Sequence, residues 1–251
     1  MTLVCKLGML LFFLSDLVGA QYVVGGKAGT VQVTVGSVYL DGQRLQKAPF
    51  VFPVLKDQQT LRTGRGRVEL LLAPGVFLRL GQQSAMRMLD NRLENTLLNV
   101  QKGRALVEVV ELVKGGHIQV QCGEARTEFR RTGLYRFDAD SADLQVFAGE
   151  AEVVVGEQQL SVARSRRVSL QGTIAVSPLQ KSVDVLYKWA AQRSFDQFQA
   201  NLASSTVKKP TNWVYTALGW FWNPDYGAQA TAGGSMLKYL RPERVPTYPN
   251  Y

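Results

Sequence analysis

The feature that most constrains the fold is a long series of short segments with alternating apolar and polar residues, running from Tyr22 to about Thr173. Successive side chains of a β-strand point to opposite faces, so a period of two is typical of half-buried strands. Turn pairs such as Asp41–Gly42 and Pro74–Gly75 separate the segments closely enough to favour antiparallel hairpins or stacked coils. The pattern predicts an all-β domain over residues 22–175, built as an irregular β-sandwich or a short β-solenoid-like stack.

Glycine precedes several of these segments, as in TGRGRVELLL, QKGRALVEVVEL, RTGLYRF and FAGEAEVVV. The spacing between the glycines is irregular, which argues against a repeat of fixed period. Glycine tolerates a positive φ and allows close approach of two backbones. We therefore expect these glycines at the corners of a sheet.

Residues 1–20 have the features of a secretory signal peptide. Lys6 precedes an apolar run over residues 7–14, and the segment ends in the small residues Gly19 and Ala20. A membrane-spanning helix needs roughly 20 apolar residues, and Asp16 interrupts this shorter run. The segment predicts export with cleavage after Ala20.

Charge and cysteine content narrow the classes of partner. Without residues 1–20 the chain keeps one cysteine, Cys122, so no internal disulfide is expected. The net charge of +9 suits either an anionic envelope polymer or a plainly solvated cationic surface. Nucleic acid is not expected, because the protein is predicted to be exported and its basic residues are scattered. Affinity for nucleic acid that falls steeply with salt would contradict this.

Residues 177–204 are predicted to form a long amphipathic helix. Ser177, Pro178 and Gln180 resemble a capping box with proline in the first turn. Apolar residues then recur at spacings of three and four, which places them on one helical face. We expect that face to pack on the β domain, since the polar residues are mixed in charge.

Residues 205–251 are predicted to be a linker followed by an aromatic and proline-rich segment. The aromatic residues crowd into a short stretch around LGWFWNPDYG. Large aromatic rings there either cover a sheet edge or form an exposed surface that binds a partner. The candidate binding residues are Trp213, Trp220, Trp222 and Tyr226.

Four stretches of the chain resemble the FecR periplasmic domain, over roughly residues 30–170. They are VGSVYLDGQRL, LRTGRGRVELLLAPGVFLRLGQQSAMRML, LLNVQKGRALVEV and the glycine-led strands of residues 133–155. The later stretches WAAQRSFDQFQANLASS and GWFWNPDYG look like the tail of exported FecR-domain proteins from soil-type bacteria.

This resemblance implies a β domain without enzymatic activity, in a Gram-negative-type envelope. In the family's transmembrane regulators, the domain transmits a periplasmic signal from an outer-membrane receptor to a cytoplasmic sigma factor. This sequence shows neither a cytoplasmic helical domain before the β region nor a spanning helix. We therefore expect a periplasmic protein–protein or protein–polymer module instead of that route.

Enzymatic sites find little support in the residues. His117 and Cys122 lie five apart in one predicted strand, so their side chains point to opposite faces and share neither a metal nor a catalytic dyad. The stretch TGRGR (63–67) lacks the features of a phosphate loop and is predicted to be a turn. Carboxylates of a glycan-cleaving enzyme could come from EVVE (108–111) or DADSAD (138–143).

The sequence thus favours a non-catalytic, exported binding or scaffold protein of the bacterial cell envelope, periplasmic or extracellular. We expect no cofactor, no metal and no catalytic residue. The expected partner is an envelope protein or an anionic envelope polymer, with peripheral membrane association as a further option, and the oligomeric state is left open. The alternatives are a periplasmic signalling subunit acting with a membrane partner, and a carbohydrate-active enzyme.

Overall fold

A computed structural model describes residues 28–46, 51–112, 114–180, 184–204, 214–216 and 219–221. The predicted signal peptide lies outside them. The described residues form strands and one helix, α1 (Val185–Ser204). The strands are β1 (Thr30–Leu40), β2 (Gln43–Arg44), β3 (Thr60–Ala73), β4 (Val76–Leu80), β5 (Ala85–Arg92), β6 (Asn95–Lys102), β7 (Arg104–Val109), β8 (His117–Cys122), β9 (Ala125–Phe129), β10 (Gly133–Asp138), β11 (Asp143–Ala148), β12 (Glu150–Val155), β13 (Gln158–Ala163), β14 (Arg166–Ser169), β15 (Val176–Pro178), β16 (Val214–Thr216) and β17 (Gly219–Phe221).

Strands β1 to β15 belong to one sheet that curls into a half-barrel. The order is β13-β12-β9-β8-β6-β5-β3-β4-β7-β10-β11-β14-β15, with β1 and β2 attached beside β3. The strand-rich class is confirmed, but the sheet is one curled surface and not the predicted sandwich or stack. Alternation along a strand defines its two faces and leaves the order of its neighbours open.

The curl is centred on β3, which exchanges one neighbour for another along its length. Its first residues pair with β5, its last residues pair with β4, and β1 runs along the opposite edge. Backbones of β1 and β3 come close at two glycines: a Cβ on Gly66 would lie 2.5 Å from Val35 O, and one on Gly36 would lie 2.2 Å from Arg65 O. The predicted turn at TGRGR is therefore wrong, because glycine there permits close strand contact inside β3.

The glycines that precede β7 and β12 behave as predicted. Gly103 has a φ of 67° and Gly149 a φ of 89°, both in the region that favours glycine. A Cβ on Gly149 would also lie 2.2 Å from the hydroxyl oxygen of Tyr135. These glycines lie where the chain turns from one strand to the next.

The inner face of the curled sheet encloses the main apolar core. Along β8 and β12 buried and more exposed residues alternate, as expected for strands with one covered face. The middle strands β4, β7 and β10 are buried on both faces, because α1 covers their outer side. Core side chains without solvent exposure include Leu70, Leu78, Val107, Phe137 and Val153.

The helix begins eight residues later than predicted. Ser177 and Pro178 lie in β15, where Ser177 pairs with Arg167 of β14. The helix begins at Val185 and ends at Ser204. The capping-box interpretation of Ser177 is wrong, since pairing with a sheet edge holds this segment in extended form.

Candidate interaction surface

Helix α1 lies on the outer face of the half-barrel, over β4 and β7 and the strands beside them. Leu186 and Ala190 are one helical turn apart and are buried there against Leu106, Leu134 and Ala148. Tyr187 and Ala191 of the predicted stripe are partly buried against the same cluster, whereas Phe195 of the stripe remains 36% exposed. The predicted apolar stripe is therefore only partly the face that docks, and polar residues supply the rest of the contact.

The polar part of the contact is an ionic network around Arg79, whose side chain is fully buried. Its Nε lies 2.7 Å from Glu69 Oε2, and its Nη1 lies 2.7 Å from Glu108 Oε2. Its Nη2 donates to Ser194 Oγ of α1 at 3.2 Å, and that hydroxyl donates in turn to Glu108. One guanidinium thus faces two buried carboxylates and a helical hydroxyl.

The helix supplies the second cation of this network. Arg193 Nη2 lies 2.8 Å from Glu69 Oε1, and Gln197 Nε2 donates to the same oxygen at 3.0 Å. Two carboxylates of the sheet are therefore matched by Arg79 from the sheet and Arg193 from the helix. Buried charges need such pairing, so the network fixes where and in which orientation α1 docks.

The first turn of the helix is held by Asp184. Its Oδ1 accepts a hydrogen bond from the backbone N–H of Tyr187 at 2.8 Å, which is the geometry of an N-cap. Its Oδ2 lies 2.9 Å from Arg136 Nη1 and 3.3 Å from Arg104 Nη1. One carboxylate therefore caps the helix and also ties it to β7 and β10.

A polar groove opens beside this cap, with a volume of about 710 Å³. Arg104 Nε lies 2.8 Å from Asp138 Oδ2, and Arg167 Nη2 lies 2.8 Å from Asp143 Oδ2. Burial alone would raise the pKa of Asp138, but hydrogen bonds from Arg104 and from the N–H groups of Ser141 and Asp140 lower it. The groove presents both signs of charge, which suits a polar peptide segment better than a polyanion.

Only Trp220 of the four predicted binding residues lies among the described residues. Trp213, Trp222 and Tyr226 lie outside them. Trp220 lies in β17, opposite Tyr215 of β16 in a two-stranded sheet separate from the half-barrel. The aromatic cluster therefore stays a prediction.

The geometry of His117 and Cys122 agrees with the sequence argument. His117 is 55% exposed and its Nδ1 lies 2.8 Å from Glu128 Oε1, whereas Cys122 is buried in the core. Burial, aided by the carboxylates of Asp138 and Asp143, raises the pKa of the Cys122 thiol to about 12. Such a thiol is a poor nucleophile at neutral pH. Across the part of the chain with described coordinates, no group of three or more acidic, His or Cys side chains is placed to hold a metal ion.

The charged residues under α1 were not identified from the sequence as a group. The sequence offers Glu108 as a candidate catalytic carboxylate, whereas Glu69 in RVELLL and Arg79 in VFLRL are simply members of predicted strands. Each of the three is a charged residue with apolar core residues on both sides of it along its strand. Charged residues placed between core residues on three strands, together with Arg193 and Ser194 of the helix, indicate that another element covers a polar face of the sheet.

Residues 59–153 match the family model described as FecR protein. They are a FecR domain. The match extends from the start of β3 into β12, so the FecR domain supplies Glu69, Arg79 and Glu108 and the arginines Arg104 and Arg136. Helix α1 lies beyond the matched residues, and the resemblance inferred from the sequence is confirmed for this part of the chain.

Two crystal structures of a candidate anti-sigma factor from Parabacteroides distasonis ATCC 8503, at 2.50 Å and 1.65 Å resolution, are similar to this chain. Each has a TM-score of 0.42 and 12% sequence identity, and covers 72% of this chain and 91% of its own. No curated protein matches the sequence. The one helix that the described residues form is not apolar enough over its length to cross a membrane.

Proposed function

We propose that this chain is an exported, non-catalytic binding protein of the bacterial cell envelope, whose FecR domain contacts another envelope protein. The observation that carries the proposal is the outer face of the FecR domain, which already binds a helix through charged and apolar contacts. The paired arginines and aspartates of the groove beside that helix extend the same kind of polar recognition surface. The predicted signal peptide supports the location.

A periplasmic signalling subunit acting with a membrane partner is the second candidate. The FecR domain itself favours it, because the family's transmembrane regulators use this domain to relay a signal. In that case the partner is an inner-membrane protein, and the aromatic residues beyond α1 are the natural candidates for the contact. An enzyme is not proposed, since Glu108 and Asp138 are engaged by arginines in structural contacts.

Affinity capture tests the proposal. The full chain is immobilised, solubilised envelope proteins are applied, and bound proteins are identified by mass spectrometry. Trp220→Ala/Trp222→Ala/Tyr226→Ala should lose a partner that the unchanged chain retains, whereas Tyr248→Ala/Tyr251→Ala serves as the matched control. Arg167→Glu probes the groove in the same way.

Each outcome has a definite meaning. A partner from the inner membrane would support the signalling role, and a partner from elsewhere in the envelope would support the scaffold role. Retention of every captured protein by all three variants would contradict the proposed surfaces. Release of new reducing ends from envelope glycans by the purified chain would contradict the non-catalytic function.

A further inference from the structure

Strand β13 ends the half-barrel sheet and is exposed along most of its length. It pairs with β12 along one edge and is the terminal strand of the sheet order. Five of its six residues are exposed, including the apolar Leu160 at 36%. An edge strand of this kind presents unpaired backbone groups to any extended chain that reaches it.

The hairpin geometry determines which backbone groups face outward. Strands β12 and β13 are joined by the two residues Gly156 and Glu157, so Val155 and Gln158 form the hydrogen-bonded closing pair. Bonding to β12 then alternates along β13. The N–H and C=O groups of Gln159, Ser161 and Ala163 therefore point away from β12.

The sequence of β13 lacks the usual protection of an edge. None of its residues is charged and none is proline, in a chain whose net charge is +9. The strand at the other end of the sheet order, β15, ends in Pro178. Charges and proline are the common means of blocking edge-to-edge pairing, so among the described residues β13 is an unprotected edge of this sheet, more exposed than the edge strand β1.

We propose that two copies of this chain pair through β13, antiparallel and centred on Ser161. The outward residues are three in number and Ser161 is the middle one. Pairing about Ser161 therefore sets Gln159 of one copy against Ala163 of the second copy, and all outward backbone groups find partners. No other antiparallel register of the strand with itself uses all three residues.

Side chains are compatible with this two-fold arrangement. In the proposed register the exposed Leu160 of one copy lies opposite Val162 of the second copy, an apolar residue that is itself buried in its own core. No like charges face each other within the strand. Glu157 precedes the strand and Arg164 and Arg166 follow it, so antiparallel pairing brings the acidic end of one copy beside the basic end of the other.

The dimer should be weak. A single short strand buries less surface than a standard stable interface, so we expect a dissociation constant on the order of 10–100 μM. Sedimentation equilibrium of the full chain should show a monomer–dimer equilibrium in that range. A monomer at roughly 500 μM would overturn the proposal, since that concentration is well above the expected constant.

Ser161→Pro separates the contact from the fold. Proline removes an N–H that points away from β12, so the β12–β13 ladder keeps its hydrogen bonds. The variant should be monomeric at every concentration and keep the circular dichroism spectrum of the unchanged chain. A dimer that survives this substitution would overturn the proposal.

Cysteine cross-linking tests the register and does not depend on the proline variant. With Cys5 replaced by serine and Cys122 buried, Ser161→Cys supplies the reactive thiol. Opposite residues of a hydrogen-bonded pair have Cα atoms about 5.5 Å apart, which is within disulfide range. In the proposed register the Cα atoms of residue 159 in the two copies would lie roughly 14 Å apart, too far for a disulfide when Gln159→Cys is introduced. Mild oxidation should therefore link Ser161→Cys and leave Gln159→Cys unlinked. Equal cross-linking of the two, or none at position 161, would overturn the register.

Discussion

Arg79 shows how a single residue can define an interface inside this protein. Its guanidinium contacts two buried carboxylates and the hydroxyl of Ser194, so it joins the sheet to the helix at one point. A buried ion pair often adds little net stability, because the cost of removing the charges from water offsets their attraction. Removing one partner of the pair is strongly destabilising, because the remaining charges stay buried without an opposite charge.

Arg79→Met is therefore expected to lower the free energy of unfolding by about 3–5 kcal/mol, since two buried carboxylates lose their guanidinium. Equilibrium unfolding in urea measures the change. Arg65→Met, at an exposed position of β3, is the control and should change stability by less than about 0.5 kcal/mol. Adding Glu69→Gln and Glu108→Gln to Arg79→Met should recover much of the loss. An unchanged stability in Arg79→Met would show that the network is not closed to water.

Asp138 makes stability depend on pH in a predictable direction. Its folded-state pKa is lowered, so the unfolded state binds the proton more readily. The stabilisation is present above the unfolded-state pKa of about 3.9 and is lost as the pH falls through the lower folded-state value. Thermal melts from pH 6 downward should show that the gap between the unchanged chain and Asp138→Asn narrows below about pH 4. A gap independent of pH would contradict this assignment.

At the scale of the element, α1 depends on its cap and its buried face. The helix begins after Asp184, which bonds the N–H of Tyr187 and two arginines. Leu186 and Ala190 are buried against the sheet, and the Tyr187 ring lies 5.5 Å from the Phe147 ring of β11. The helix is therefore held by polar contacts at its start and middle together with an apolar face packed on the sheet.

Asp184→Ala should destabilise the protein by about 1 kcal/mol or more, because a cap is lost and two arginines lose a partner. Ser177→Ala should change stability very little, since Ser177 lies in β15. Thermal melts followed at 222 nm compare the two. A larger fall in melting temperature for Ser177→Ala than for Asp184→Ala would instead support a helix that begins at Ser177.

Truncation tests the role of the aromatic segment. A chain that stops at Ser205 should keep the melting temperature of the full chain if the aromatic residues form a binding surface. A fall of several degrees would instead show that they cover the fold, since burial of two tryptophans contributes a few kcal/mol. A chain that stops at Gln180 should melt lower in either case, because Arg193 and Ser194 are then missing from the buried network.

At the scale of the whole molecule, the net charge of +9 adds a long-range attraction to anionic surfaces. Vesicles of phosphatidylglycerol and phosphatidylcholine should bind the chain at about 0.05 M salt and release it by about 0.5 M, because salt screens exposed charges. Cosedimentation measures the bound fraction, and pure phosphatidylcholine vesicles are the control. Binding that persists at high salt would indicate an apolar membrane contact instead.

The sequence by itself determined the class of fold. Alternation predicted strands, and the strand-rich class is confirmed, because a strand repeats every two residues whatever its neighbours are. The corner glycines Gly103 and Gly149 were predicted for the same local reason, a backbone conformation that other residues avoid. The opposite faces of His117 and Cys122 also follow from parity along one strand.

Only the tertiary structure decided which elements meet. Glu69, Arg79 and Glu108 come from three strands, and their pairing depends on strand order, which alternation does not encode. The helix begins at Val185 and not at the predicted Ser177, because Ser177 pairs with Arg167 of β14, and this pairing cannot be predicted from the local sequence. The exposed edge at β13 also depends on tertiary structure, because the order in which the other strands pair decides which strand is terminal.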